Sequence, residues 1–151
     1  MKLKRRALPA LCAATLLAAT SARAEETGSA AAAKAMLERA VAAIKADEPR
    51  ALAAFSSGAD GFKQNDLYVF CARTDGRVDA HIDPAQIGRN IKDQYDVHGV
   101  AFGQEMMAIA EDNTIKGVSY MWPKPDSKTP AQKVSYVTKV NDQVCGVGYY
   151  E

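Results

Sequence analysis

Long apolar runs are confined to the beginning of this sequence. After residue 24, no segment approaches the roughly 20 apolar residues that a membrane-spanning helix needs. The run at residues 7–20 is also too short to span a bilayer, and it lies between the basic MKLKRR and an Ala-x-Ala site that ends at Ala24. We therefore predict a signal peptide over residues 1–24, cleaved after Ala24, and a mature protein that is periplasmic and does not span the membrane.

Positive charge is scarce once this leader is set aside. Five of the 19 Lys and Arg residues and none of the 18 acidic residues lie in it, so the remainder carries 14 basic and 18 acidic groups, a formal net charge of −4. A mildly acidic chain without a basic stripe gives no support for a nucleic-acid partner, and we expect none. Residues 25–151 suit one domain with one modest core.

Cysteine and histidine are too few for the common catalytic and metal sites. No HExxH, GxSxG or phosphate-binding glycine motif is present, so we expect no catalytic residue, no metal and no cofactor. Cys71 and Cys145 form an even pair in an oxidising compartment, which favours one disulfide over two separate buried thiols. His81 suits a pocket mouth or a hydrogen-bonded structural role equally well. An exported enzyme that uses His81 is the least favoured function.

The first part of the mature chain has the pattern of two helices. Residues 29–47 are rich in strong helix formers, and their apolar residues recur at three-to-four spacing, which predicts one long helix. Pro49 suits the first turn of a second helix and Gly58 suits its end, so this helix is expected over 49–58. The stretch GADGFKQND that begins at Gly58 is expected to form a loop.

From residue 67 onwards the pattern changes to short strands. LYVFCAR (67–73) and VDAHI (78–82) flank an Asp-Gly turn and predict a hairpin. An ordered loop over 83–99 and a helix within 100–113 follow. Three further strands are expected, at 115–123, 131–140 and 143–150. Helices packed on such an antiparallel sheet of five strands make an α+β domain.

Alternate residues of a strand share one face of a sheet, which groups several unusual side chains. Tyr68 and Phe70 share a face of the first predicted strand, and Gly146 and Gly148 share a face of the last; the cysteines lie opposite. If these strands are neighbours, the glycines stand beside the two aromatic residues and leave a hollow. That the glycines instead accommodate a close-packed helix or a bulge is equally consistent with the spacing.

A second aromatic cluster lies in YMWP, where Tyr120 and Trp122 share a face. The strand after it carries Lys133 and Tyr136, whose odd spacing puts them on opposite faces unless the strand bulges or Lys133 lies at its end. Aromatic walls with one cation and a few hydroxyl or imidazole donors suit a small carboxylate. The alternative for Trp122 and the tyrosines is an ordinary hydrophobic core, which periodicity alone favours.

The order of these landmarks resembles that of a single Cache domain of the second subtype. DLYVFCARTDGRVDAHIDPAQIGRNIKDQYDVHG is followed by YMWPKP, by QKVSYV and by a closing GVGYY, so the resemblance spans essentially the whole mature chain. It implies a PAS-like, five-stranded antiparallel sheet of strand order 2-1-5-4-3 with a long N-terminal helix on one face. That order places the first and last strands side by side, which supports a bridge between Cys71 and Cys145.

The resemblance also implies a sensor-type function. Such domains often bind small organic acids such as acetate, propionate or pyruvate, so a ligand of this class is expected, with Lys133 as its charge partner. The domain would act through a separate membrane receptor or transporter, and the alternative is a structural or protein-interaction module with no ligand pocket. The ligand-binding residues that the resemblance implies are Tyr68, Phe70, His81, Phe102, Met106, Tyr120, Trp122, Lys133, Tyr136 and Gly146.

Overall fold

The structure is a computed structural model that describes residues 28–125 and 127–151. The signal peptide predicted over residues 1–24 lies outside these residues and stays a prediction. Within the described ranges, no helix is both long enough and apolar enough to cross a membrane.

Two helices, α1 (Ala30–Ala46) and α2 (Glu48–Ser57), precede the sheet. The Ser29 hydroxyl caps the start of α1, and the carboxylate of Asp47, the single residue between the helices, caps the start of α2. Gly58 ends α2 in the left-handed conformation, with φ of 71°, where a residue without Cβ is favoured. Both predicted helices are therefore confirmed, with ends shifted by one residue.

The sheet is antiparallel throughout, and its long strands follow the order β3-β2-β6-β5-β4. This is the predicted order 2-1-5-4-3 in chain numbering. The structure adds one two-residue strand, β1, which pairs with the start of β2 in a stretch that was predicted to be a loop. The strands are β1 (Lys63–Gln64), β2 (Leu67–Arg73), β3 (Val78–Ala80), β4 (Lys116–Pro123), β5 (Pro130–Val140) and β6 (Gln143–Tyr150).

Each face of the sheet is covered by a different layer. The helix face packs against α1 and α2 and includes Leu37, Phe55, Val69 and Val147 in one buried cluster. The opposite face, called here the cavity face, is covered by the cap segment, residues 81–109, which connects β3 to β4. The cap segment holds two short 3-10 helices (Pro84–Gln86 and Ile91–Asp93) and a third α-helix, α3 (Phe102–Ile109).

The structure contains the predicted disulfide between β2 and β6. Cys71 lies directly opposite Cys145 in the register of these strands, and their sulfur atoms are 2.05 Å apart. Both cysteines are fully buried on the helix face. The bridge therefore joins the two central strands on the side away from the cap segment.

Candidate functional site

A cavity of about 30 Å³ lies between the cavity face and the cap segment. Strand β2 contributes alternate residues that point towards the cap, β4 contributes an aromatic pair, and α3 closes the space from the other side. We call this space the inner cavity. Its lining residues are Tyr68, Phe70, Val78, His81, Gln86, Ile91, Gln94, Phe102, Met106, Tyr120 and Trp122.

A larger space of about 420 Å³, called here the outer space, adjoins the inner cavity. Four residues border both, namely Tyr68, His81, Gln86 and Trp122. All four carry a polar group, whereas the remaining lining of the inner cavity is mostly apolar. Polar side chains therefore concentrate where the two spaces meet, which is the arrangement of a small-molecule site with few, placed polar groups.

A buried cation lies directly behind this junction. Lys133, on β5, is only 1% exposed, and its Nζ donates to Tyr68 Oη at 3.0 Å. The same Nζ lies 4.5 Å from the ring centroid of Tyr68 and 5.0 Å from that of Tyr150. None of the ion pairs formed between described residues includes Lys133. Within the described part of the chain, its charge is therefore stabilised by aromatic rings and a hydroxyl and not by a carboxylate.

His81 stands at the junction as a neutral imidazole. Its Nδ1 accepts the backbone N–H of Asp83 at 2.9 Å, which leaves the hydrogen on Nε2. Burial, and then the charge of Lys133, lower the pKa of His81 from 6.5 to about 4. At neutral pH this side chain can thus donate one hydrogen bond without carrying a charge.

An aromatic wall encloses the other side of the inner cavity. The Phe102 and Tyr120 rings are stacked with centroids 4.2 Å apart, and Trp122 meets Phe102 edge-on at 5.4 Å. The Tyr120 hydroxyl pairs with Ser135 Oγ at 2.9 Å, and burial raises the pKa of Tyr120 well above its usual value. The one buried hydroxyl of this wall is therefore satisfied.

One carboxylate fastens the cap segment to the edge strand. Asp96 accepts the backbone N–H groups of His98, Val100 and Met121 at 2.8, 2.9 and 3.0 Å. These hydrogen bonds, that from Met121 first, lower the pKa of Asp96. Because Met121 lies between Tyr120 and Trp122 on β4, the bond fixes the cap beside the aromatic wall.

The structure brings most of the predicted ligand-binding residues to one place, with three exceptions. Lys133 does not line either space and reaches the junction only through the Tyr68 hydroxyl. Gly146 lies beneath the Phe70 ring. Tyr136 was predicted to line the pocket, but the structure places it on the helix face, where its ring centroid lies 5.7 Å from that of Tyr149. We therefore omit Tyr136 from the candidate site.

The two glycines of the last strand make room for protein side chains. A Cβ at Gly146 would overlap the Phe70 ring, and one at Gly148 would overlap the Lys133 side chain and Ser135 Oγ. The sequence left open whether these glycines leave a hollow or accommodate a helix or a bulge. The structure shows that they leave space on the cavity face, and that the side chains of Phe70 and Lys133 fill it. Gly148 thereby allows a long cationic side chain to lie flat behind the junction.

Gln86, Gln94, Ile91 and Val78 also line the inner cavity and were not singled out by the sequence. Three of them lie in the aperiodic cap segment, where spacing carries no information about direction. Val78 lies in the predicted second strand, where alternation would place it on the same face as Ala80; an irregularity in the register between β2 and β3 puts Val78 on the cavity face and Ala80 on the helix face. Only the pairing of the cap with the rest of the chain, such as the bridge between Arg77 and Asn90, sets these directions.

Comparison with known proteins places this architecture in a family. The profile dCache_2, described as a Cache domain, matches residues 27–150. This chain belongs to the Cache domain family. A methyl-accepting chemotaxis protein from Vibrio parahaemolyticus is 25% identical, covers 78% of this chain and 85% of its own, and superimposes with a TM-score of 0.66.

Two other solved structures share the fold, at similar levels of sequence identity. The periplasmic sensor domain of a chemotaxis protein is 26% identical over 80% of this chain and 88% of its own, with a TM-score of 0.60. A Cache chemosensory domain described in terms of carboxylic acid recognition is 25% identical over 78% of this chain and 84% of its own, also with a TM-score of 0.60. The Cache fold of this chain is therefore that of sensor domains.

Substituting Gly103 with alanine should reveal how tightly the cap of this Cache domain is packed. A methyl group there would overlap the backbone carbonyl oxygen of Ile91. Gly-to-Ala inside a helix normally stabilises by about 0.5–1 kcal/mol, but here we expect a loss of about 1–3 kcal/mol because backbone must move. Chemical denaturation measures the difference. Gly117→Ala on β4 is the control, since its new methyl group would make only ordinary contacts, and equal stability of the two variants would contradict the prediction.

The low pKa of His81 predicts a pH dependence of stability. The unfolded chain takes up a proton as pH falls through 6.5, whereas the folded protein does so only near pH 4. The free energy of unfolding should therefore fall between these pH values, by at most about 1.4 kcal/mol per pH unit from this group. Urea titrations in carboxylate-free buffers should show this slope reduced in His81→Gln and retained in the exposed His98→Gln. An unchanged slope in His81→Gln would contradict the assignment.

Proposed function

We propose that this Cache domain is a periplasmic sensor module of the single, second subtype that binds a small organic acid and acts through a separate membrane receptor or transporter. Acetate, propionate and pyruvate represent the expected class. The observation that carries the proposal is the buried Lys133 cation, which has no carboxylate partner among the described residues and lies one hydroxyl away from the junction. The described residues form one sheet packed against one long helix, which supports the proposal that the protein contains a single Cache module.

The hydrogen-bond directions at the junction favour an anion. Because Tyr68 Oη accepts a hydrogen from Lys133 Nζ, its own O–H is left to donate towards the cavity. The Nε2–H of His81 is a second donor at the same place. A carboxylate accepts from both, and the charge of Lys133 strengthens the bond through Tyr68 in these poorly solvated surroundings.

The same geometry favours binding without turnover. The Nδ1 lone pair of His81 is already used by the Asp83 N–H, and Nε2 carries the hydrogen, so the imidazole has no free lone pair to act as a general base. Lys133 is shielded by Tyr68 and Tyr150 and cannot reach a ligand as a nucleophile. We therefore propose no catalytic residue.

Thermal-shift measurements with acids and with their neutral amides distinguish acid binding from a protein-interaction module without a ligand. Propionate and acetate should raise the melting temperature of the exported protein, by an amount equivalent to about 2.7 kcal/mol at one hundred times Kd. Propionamide and acetamide match them in shape but lack the charge and should give no shift. Tyr68→Phe should weaken binding of the acids. The absence of a shift with any acid would overturn the proposal in favour of a protein-interaction module.

A further inference from the structure

Two glutamine side chains form an isolated polar pair in the lining of the inner cavity. Gln86 ends the first 3-10 helix of the cap segment and Gln94 follows the second. Gln94 Nε2 donates to Gln86 Oε1 at 3.1 Å. Neither amide makes another hydrogen bond to the part of the chain that the structure describes. Their surroundings in the cavity include the apolar side chains of Ile91 and Met106.

The numbers of free donors and acceptors in this pair do not depend on which terminal atom of each amide is oxygen and which is nitrogen. Each amide has an oxygen that accepts and an NH₂ group that donates, and the mutual bond uses one oxygen and one N–H. If both amides are turned over, the bond persists with the roles exchanged. In either arrangement one amide oxygen and one complete NH₂ group are left for a ligand. Both side chains are half-buried, and the free amide oxygen and the free NH₂ group border the cavity, so a ligand group that pairs with both gains two hydrogen bonds there.

A hydroxyl group is the small substituent that both donates and accepts. A keto oxygen only accepts, so it would leave the amide oxygen unpaired, and a methylene would leave both groups unpaired. The position of the pair also fits a substituent near the carboxylate, because Gln86 borders both spaces and Gln94 only the inner cavity. The inner cavity, at about 30 Å³, has room for about two water-sized groups, which limits the ligand to a short chain.

We propose that the ligand of this site is a short hydroxy acid, whose carboxylate binds at Tyr68 and His81 and whose hydroxyl binds between Gln86 and Gln94. This inference rests on the proposed function and narrows it from organic acids in general to hydroxy acids. Gln86 and Gln94 are then the residues that determine specificity.

Calorimetric titration of the exported protein with a matched series of three-carbon acids tests the proposal. L-lactate, D-lactate and 3-hydroxypropionate each add one hydroxyl to propionate, and pyruvate adds a keto oxygen. We expect at least one of the hydroxy acids to bind about tenfold tighter than propionate, with pyruvate intermediate. Gln94→Met and Gln86→Met, which keep the side-chain length and remove the amide, should each abolish this preference, measured as the ratio of the two dissociation constants in the same variant. Gln64→Met on β1 is the matched control and should keep the preference.

The outcomes separate this inference from the function on which it rests. Propionate binding as tight as that of every hydroxy acid would overturn the hydroxy-acid proposal and leave acid binding intact. A preference that survives in both Gln86→Met and Gln94→Met would overturn the role of the pair. Absence of binding by all five acids to protein that is folded by circular dichroism would overturn the proposed function itself.

Discussion

Replacing Lys133 with methionine should weaken acid binding and leave the free energy of unfolding unchanged or higher. Lys133 is 1% exposed and has no carboxylate partner among the described residues, so folding must desolvate its charge against one hydrogen bond and two aromatic rings. An apolar side chain of similar length avoids this cost, which amounts to several kcal/mol for a buried ion. Without the cation, the bond from Tyr68 to a carboxylate loses its charge assistance, and we expect affinity to fall about ten- to a hundredfold.

Two measurements on the same preparation of Lys133→Met distinguish a specific loss of acid affinity from misfolding. Urea unfolding gives the stability of Lys133→Met, and calorimetric titration with the acid that binds wild-type protein most tightly gives its affinity. Lys34→Met, on the exposed face of α1, controls for the loss of one positive charge from the whole protein. Wild-type affinity in Lys133→Met would show that the buried cation is not the charge partner of the ligand.

Removing both cysteines of the disulfide should cost about 4 kcal/mol of stability while leaving acid affinity unaltered. The bridge closes a loop of 74 residues, and the chain-entropy relation gives about 4 kcal/mol for a loop of that length. Alanine at Cys71 and Cys145 also leaves small voids on the helix face, which adds to the loss. Acid affinity should persist at temperatures where the variant is folded, because both residues point away from the inner cavity.

Denaturation of the Cys71→Ala, Cys145→Ala variant and thiol counting together check this prediction. Thiol titration of denatured, unreduced protein comprising residues 25–151 should find no free thiol in wild type. Two free thiols would contradict the bridge, and a stability loss below about 1 kcal/mol would contradict its contribution.

The helices and the long strands of this Cache domain were predictable because their signals are local. Capping by Asp47, the left-handed end at Gly58 and the alternation of β2 each depend on a few consecutive residues. The strand order came instead from the resemblance to the family, since pairing partners are far apart in sequence. Strand β1 was missed because two residues are too few to show a period.

Residues of the candidate site were predictable from the sequence where the alternation of side chains along a strand determines which residues share a face. Tyr68 and Phe70 share a face with Tyr120, and parity grouped the residues of β2, β4 and β6 correctly, whereas in β3 the irregular register puts Val78 and Ala80 on opposite faces. On β5, however, Lys133 and Tyr136 have opposite parity, and the register of this strand runs without a bulge from one end to the other. Tyr136 therefore has to lie on the helix face once Lys133 lies on the cavity face. Which of the two points inward depends on the cap and α1, which no pattern within β5 records.

The central strands contribute to the cavity lining and to the helix-side core through alternate residues. Along β2, Tyr68 and Phe70 line the inner cavity, while Val69 and Cys71 hold the helix layer. A mutational scan of this strand should thus give phenotypes that alternate residue by residue, with altered ligand range at one set of positions and reduced expression or folding yield at the other. Ligand preference can in this way diverge during evolution through every second residue, without disturbing the scaffold that the intervening residues maintain.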